Sequence, residues 1–159
     1  IPKKDSPQSF SDFRLISLCT FTNKILTKIL SNQLKSILPT IISPEQSAFV
    51  QGREISDNIL VVQELVADID RKVRGHNLIL KLDMMKAFDR VSWSFLSGLL
   101  LKFGFQPRFV ALITNNLTTS WFSVLINRKP NGFFQATQGL KQGDPLSPFL
   151  FILVSEALS

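Results

Sequence analysis

The sequence predicts an α+β fold, with helices packed on a small antiparallel sheet. Three observations carry this. Several stretches repeat apolar residues at helical spacing, with caps and stops at their ends. Residues 77–83 alternate as a strand does. Two short β-like runs, 121–127 and 133–137, flank the polar turn Arg128-Lys129-Pro130-Asn131-Gly132. The order is helices, strand, helices, hairpin, helix, which suits helices laid against one small sheet.

Each element can be justified in order. Residues 1–21 read as an extended, basic N-terminal segment, Pro2-Lys3-Lys4 followed by the turn Asp5-Ser6-Pro7 and the run Phe13 to Leu18, in a loose hairpin. Residues 23–38 carry Ile25, Ile29, Leu30, Leu34, Ile37 and Leu38 on helical spacing, with Thr22 as N-cap and Pro39 as stop. Lys24, Lys28 and Lys35 fall near the opposite, solvated face. A loop from Ser43-Pro44 to Gln51-Gly52-Arg53 leads to a helix capped by Asp57 and running from Asn58 to about Val73. Arg71, Lys72 and Arg74 suit the negative end of its dipole, and Gly75 ends it.

In the strand 77–83, Leu78, Leu80 and Leu82 point one way, and Ile79, Lys81 and Asp83 the other. Ser92 begins a helix stopped at Gly104, and Pro107 opens the next as a first-turn proline. After the hairpin, a polar loop over 138–146 precedes Ser147-Pro148, which start a last apolar helix.

The bulk numbers bound the function. The 159 residues suffice for one domain with a core, and 45% apolar content excludes a disordered composition. A net charge of +6 favours a polyanionic partner. The single cysteine, Cys19, permits no internal disulfide, and with the single His76 it cannot form a zinc site, so an intracellular compartment is expected. The longest apolar run, Phe149 to Val154, is far short of the roughly 20 residues a membrane span needs. The chain begins at Ile1 rather than Met and ends at Ser159 within a helical pattern, and so reads as part of a longer protein.

Two stretches carry chemistry. In KLDMMKAFDRVSW, residues 81–93, Asp83 stands at the end of a strand where a carboxylate can hold a divalent cation, because Mg²⁺ takes hard oxygen ligands. Phe88 follows five residues on and can wall a pocket beside it. On spacing alone, an ordinary strand end at Asp83 and a helix cap at Asp89 explain the pattern at least as well. In QGLKQGDPLSP, residues 138–148, glycines allow close backbone approach, glutamine amides can contact bases or sugars, and the helix start at Ser147-Pro148 can face negative charge. That composition is too particular for an ordinary turn.

Together these stretches resemble motifs A and B of a reverse transcriptase of the non-LTR (LINE) retrotransposon branch, plant-type. The resemblance runs along the chain. Ile1-Pro2-Lys3 with Asp12-Phe13-Arg14-Leu15-Ile16-Ser17 is similar to the family's fingers segment IPK…DFRPIS. Gln46-Ser47-Ala48-Phe49-Val50-Gln51-Gly52-Arg53 with Asp57-Asn58 is similar to its QSAFVPGR…DN element. Motif A covers Leu80-Lys81-Leu82-Asp83 through Trp93. Motif B covers Gly139 through Pro148, with Phe149-Leu150-Phe151-Ile152-Leu153 as its helix. Four matches in the right order make a specific signal.

The resemblance implies an incomplete right-hand polymerase domain, fingers-like over about 1–76 and palm-like over about 77–159. It implies RNA-directed DNA polymerase activity, in which dNTPs are added to a DNA primer 3′-hydroxyl on an RNA template by two Mg²⁺ ions, with Mn²⁺ as a substitute. Asp83 then matches the catalytic, metal-binding aspartate, with the Met84 carbonyl as a second-metal ligand. Phe88 matches the steric gate that excludes a 2′-hydroxyl, and Ala87 the small residue beside the triphosphate. Gln142 and Gly143 match the pair near the nascent base pair, and Lys3 and Arg14 resemble triphosphate-gripping fingers residues. Lys4, Arg53 and Lys141 are further candidates for nucleic-acid contact. Asp89 reads as a cap, or as an ion-pair partner of Arg90 or a nearby lysine. By family, the expected location is the nucleus or a cytoplasmic ribonucleoprotein. The expected partners are RNA template, DNA primer or target, and the motif C, thumb and endonuclease parts of a parent polyprotein.

Departures are visible. Leu15 and Gln51 stand where the family usually has proline, and Lys141 where arginine is commoner. Motif C, a hairpin with two adjacent aspartates, is not among these residues, and Asp68-Ile69-Asp70, expected inside a helix, is no substitute. Two alternatives follow: an RNA-dependent RNA polymerase palm, disfavoured by Phe88, and a degenerate retrotransposon copy with at most nucleic-acid binding. The 159 residues alone are expected to show no primer extension.

Overall fold

The computed structural model describes residues 1–14, 16–71 and 77–158; Leu15, Lys72, Val73, Arg74, Gly75, His76 and Ser159 lie outside the described residues. The expectations on Leu15 and on the helix end at Lys72 to Gly75 therefore fall outside them.

Among the described residues are five α-helices and one two-stranded antiparallel sheet, the expected α+β class. The helices are α1 (Phe21–Ile41), α2 (Ile55–Ala67), α3 (Trp93–Lys102), α4 (Pro107–Thr118) and α5 (Ser147–Glu156). The strands are β1 (Trp121–Ile126) and β2 (Lys129–Gln135). No described helix is long and apolar enough to cross a membrane.

The core forms where apolar helix faces meet. Leu30, Leu34 and Leu38 of α1, Leu96 and Leu100 of α3, Val110, Ile113 and Leu117 of α4, and Leu150, Ile152 and Leu153 of α5 make one buried cluster, joined by Val91, Leu140 and Leu146 from the connecting loops. α3 packs on α4 and α5, and α5 also meets α1. Glu156, ending α5, accepts from the Ser43 amide at 3.0 Å and from the Ser43 hydroxyl at 3.1 Å, which joins the far ends of α1 and α5.

The N-terminal segment forms the expected loose hairpin. Pro2 pairs with Phe13 in an isolated antiparallel bridge, and the Lys3 amide donates to the Asp12 carbonyl at 2.7 Å. A 3₁₀ turn at Phe10–Asp12 sits between the two arms.

Helix limits differ from the sequence reading in identifiable ways. α1 starts earlier, with Thr20 rather than Thr22 as cap; the Thr20 hydroxyl accepts from the Asn23 amide at 3.4 Å. It also continues past Pro39 to Ile41. Proline removes one amide donor near the helix end, and the terminal carbonyls there find another partner in Arg53. α2 starts at Ile55 behind Glu54, so Asp57 lies in its first turn instead of capping it. The helix ends at Ala67, which leaves Asp68-Ile69-Asp70 in a turn rather than inside a helix. α3 and α4 begin as read, at Ser92 and Pro107; the Ser92 hydroxyl accepts from the Phe95 amide at 3.4 Å.

The clearest departure is the expected strand 77–83. These residues are exposed and join no sheet. An alternating pattern makes a strand only when a second strand supplies the ladder, and no described segment pairs with it. The hairpin turn also moves. It lies at Asn127-Arg128, both in the left-handed region (φ 49° and 65°), so Ile126 pairs with Lys129 and residues 129–132 belong to β2. A two-residue turn with both centres left-handed matches the twist of the flanking strands. Gly132, φ 68°, takes the bulge where β2 has one residue more than β1.

Candidate active site

Three backbone-anchored contacts bring the two sequence stretches together. The Gly139 amide donates to the Val91 carbonyl and the Leu140 amide to the Phe88 carbonyl, both at 2.8 Å. The Trp93 indole N–H donates to the Gly139 carbonyl at 2.7 Å. Residues 138–140 therefore run directly against the turn 88–93. The approach requires glycine: a Cβ on Gly139, φ 93°, would lie 2.9 Å from the Asp89 carbonyl oxygen.

Phe88 is held in this junction. It sits in a 3₁₀ turn, Phe88–Arg90, and its ring stacks on Phe151 of α5 with centroids 4.7 Å apart and planes 16° off parallel. Lys86, left-handed at φ 54°, reverses the chain between Asp83 and that turn. Ala87 is half-buried beside it. Gln142 faces the same junction, its amide Nε2 reaching Asp89 Oδ1 at 3.5 Å. Among the described residues that contact, and no ion pair, is what the Asp89 side chain makes, and the cap and salt bridge expected of Asp89 do not form among them.

The N-terminal segment joins from the other side. The Ser17 amide donates to the Gln142 carbonyl at 2.8 Å, and a Cβ on Gly143, φ 96°, would lie 3.4 Å from Ile16 Cγ2 and the Ser17 carbonyl. Cys19 donates to the carboxylate of Asp144 at 3.8 Å. Burial, and then the charge of Asp144, push the Cys19 thiol above its ordinary range. Asp144 is only 4% exposed and also accepts from the Leu146 amide at 2.8 Å, fixing the turn into α5.

The other expected residues are placed as follows. Asp83 and Met84 are exposed at the end of the unpaired segment. Lys3 Nζ donates to the Ser11 carbonyl at 2.8 Å, and Lys4 pairs with Asp12 at 3.0 Å. The Gln8 amide, then Lys4 and the Ser9 amide, hold the Asp12 carboxyl below the usual carboxylate range. Arg14 is exposed, two residues before Ile16.

Arg53 and Lys141, expected to contact nucleic acid, turn inward. Arg53 donates to the carbonyls of Pro39, Ile42, Ser43 and Gln46 and so finishes α1 and folds the loop after it. Lys141 is 9% exposed; its Nζ donates to the Ser120 hydroxyl at 2.6 Å and the Asn116 carbonyl at 3.4 Å, and it lies 5.9 Å from the Phe122 ring centre. A buried cation is retained only with such acceptors around it. Trp93, Ser17 and Phe151 were not singled out from sequence. Trp93 had a signal, since a half-buried indole N–H normally finds an acceptor.

The donor set suits a hard divalent cation in kind. Asp83 and the Met84 carbonyl offer oxygens, as Mg²⁺ requires. Their number is below the roughly six oxygens of an Mg²⁺ shell, and no cluster of three His, Cys, Asp or Glu occurs among the described residues. Substrate oxygens, water or further carboxylates would have to complete it.

Comparison with known proteins points the same way along the whole chain. The family model described as "Reverse transcriptase (RNA-dependent DNA polymerase)" matches residues 1–159. The "Transposon TX1 uncharacterized 149 kDa protein" of Xenopus laevis is 35% identical over 156 residues, covering 98% of this chain and 12% of that protein. The "Retrovirus-related Pol polyprotein from type-2 retrotransposable element R2DM" of Drosophila melanogaster is 32% identical over 158 residues, 99% of this chain and 15% of that protein. An "Uncharacterized mitochondrial protein" of Arabidopsis thaliana is 57% identical over 35 residues, 22% of this chain and 29% of that protein. The chain thus spans about an eighth to a seventh of the first two relatives.

Proposed function

The chain belongs to the reverse transcriptase (RNA-dependent DNA polymerase) family, and from that premise we propose that it forms the fingers and nucleotide-selecting part of the palm of a non-LTR retrotransposon polymerase. Its reaction is the addition of deoxynucleotides to a DNA primer 3′-hydroxyl on an RNA template. The observation that carries this is the junction of Phe88, Gln142 and Gly143, drawn together by the bonds between residues 88–93 and 138–140. The short match to a plant protein supports the plant branch.

Each residue does a separable task. The Phe88 ring, backed by Phe151, presents a rigid edge to the sugar and excludes a 2′-hydroxyl by contact. Ala87 and Gly143 leave room for backbone to approach the nucleotide. Gln142, steered by Asp89, offers an amide to the nascent pair. Arg14 and Lys3 supply positive charge for the triphosphate. Asp83 and the Met84 carbonyl would hold Mg²⁺ or Mn²⁺, which supplies Lewis-acid activation of the attacking hydroxyl and neutralises the triphosphate.

The 159 residues alone are inactive on this reading, because their oxygen donors do not complete a metal shell. The test is a chimaera in which they replace the aligned segment of the R2DM polyprotein. It should extend a primer on RNA with dNTPs. Asp83→Asn should reduce extension by about 10³-fold, the several kcal/mol of a metal-holding carboxylate, with unchanged folding because Asp83 is exposed. Phe88→Ala should admit ribonucleotides. Full activity in Asp83→Asn would overturn the assignment, and unchanged sugar selectivity in Phe88→Ala would remove the gate.

A further inference from the structure

The turn that carries Gln142 and Gly143 is held from both ends. The Asp144 amide donates to the Lys141 carbonyl at 3.2 Å, and Gly143, φ 96°, has the positive φ that the third residue of a type II turn takes. Burial follows the turn. Lys141 and Asp144, its ends, are 9% and 4% exposed, while Gln142 is half-buried and Gly143 exposed at its corners. The buried ends are charged and the presented corners are not, the reverse of an ordinary surface turn.

Each charge reaches a different part of the fold. Lys141 Nζ donates to the Ser120 hydroxyl at 2.6 Å and to the carbonyl of Asn116, in the last turn of α4, where the helix dipole favours a cation. The Asn116 side chain in turn donates to Asn23 Oδ1 in the first turn of α1. Asp144 accepts from the Leu146 amide at 2.8 Å and from the Cys19 thiol, beside the cap of α1, at 3.8 Å. Burial raises the Cys19 thiol, the Asp144 charge adds to this and the Lys141 charge opposes it, so both charges face the same group. Burying two charges carries a desolvation penalty, which pairing them with each other would offset most directly. They form no such pair: the ion pairs among the described residues are Lys4–Asp12 and Arg71–Asp68. Two charges kept apart and anchored outward fix the segment between them.

We propose that Lys141 and Asp144 are positioning residues, which fix the Gln142-Gly143 turn against the nucleotide site by anchoring its ends to α4 and to the start of α1. This rests on the reading of Gln142 as a contact of the nascent pair. Both charges are too buried to touch a nucleotide, and each acts through Gln142. With either anchor removed the turn still closes, because its own hydrogen bond runs backbone to backbone, but its place relative to α4 and α1 is no longer set.

The test uses the R2DM chimaera with primer, template RNA and dNTPs, in a double-mutant cycle with Gln142 and with thermal unfolding followed alongside. Gln142→Ala should raise the dNTP KM by about 10-fold, the worth of one hydrogen bond, with kcat within about 2-fold of wild type. Lys141→Met and Asp144→Asn should each raise KM by about 3- to 10-fold. Lys141→Met combined with Gln142→Ala should stay within about 2-fold of Gln142→Ala alone, because Lys141 acts through that side chain. Lys141→Arg should keep KM near wild type, since a guanidinium also serves the end of α4. Ser120→Ala removes one acceptor and keeps the charge; it should raise KM by about 3-fold, and the same cycle with it decides the matter if Lys141→Met does not fold. Multiplicative losses in the cycle, or wild-type KM in both Lys141→Met and Asp144→Asn, would overturn the inference and leave the two charges as stabilisers of the core. Wild-type KM in Gln142→Ala would remove Gln142 from the nucleotide site, a failure of the functional reading that takes this inference with it.

Discussion

At the scale of single residues, the site depends on groups whose neighbours tolerate no addition. Gly139 is the sharpest case. It combines a left-handed backbone with a carbonyl 2.9 Å from where a Cβ would be. Gly139→Ala should destabilise the chain by about 2 kcal/mol or more, measured as a lowered urea midpoint. An unchanged midpoint would mean that the loop does not run against Asp89 as described. Several of these residues are legible in sequence and several are not. Asp83, Phe88 and Gln142 stand out by residue type and spacing. Arg53 and Lys141 show the limit of a charge reading, because a cation's sign fits an acceptor equally well whether it is a phosphate or a ring of backbone carbonyls. Only the fold shows that their acceptors are carbonyls and a hydroxyl.

At the scale of elements, local signals located ends well where they were self-sufficient. Ser92, Gly104 and Pro107 act within a few residues of themselves, Ser92 through its hydroxyl on the Phe95 amide, and α3 and α4 begin where these residues say. Signals that depend on a distant partner failed. Pro39 should have stopped α1, but the helix runs on to Ile41, with its late carbonyls taken by Arg53 from 14 residues away. Arg53→Ala should therefore fray the end of α1 and loosen the loop 43–53, costing about 2 kcal/mol. Arg53→Lys should recover less than half of this, because an ammonium cannot address four diverging carbonyls as a planar fork does. Hydrogen exchange at the α1 end would report the fraying; protection equal to wild type in Arg53→Ala would contradict the account.

At the scale of the whole molecule, the packed part and the exposed part are distinct. α1, α3, α4 and α5 share a buried core, while α2 contributes no buried residue and leaves Ile59, Leu60, Val61, Val62, Leu65 and Val66 exposed. Residues 78–85 add Leu78, Leu80, Leu82 and Met85 to the exposed apolar surface. Apolar area of this kind drives association. Leu60→Lys with Val61→Lys should leave the unfolding midpoint within about 0.5 kcal/mol of wild type while lowering dye binding and aggregation. Leu34→Ala in the core should instead cost about 2–5 kcal/mol. A large stability loss from the α2 variants would show that this helix is packed in solution.

What the sequence determined by itself was the kind of molecule: the α+β class, the order of its motifs, the family they belong to, and the residue types at the nucleotide-selecting junction. These are properties of spacing and side-chain chemistry, and spacing survives in one dimension. Tertiary structure alone decided which cations turn inward, that residues 77–83 form no ladder, and that the hairpin turns at Asn127-Arg128 with its aromatic pair to solvent. The buried cations and the missing ladder depend on partners remote in the chain, and the hairpin on which residues pair across it, because a strand, a buried charge or a stacked ring is defined by what lies across from it.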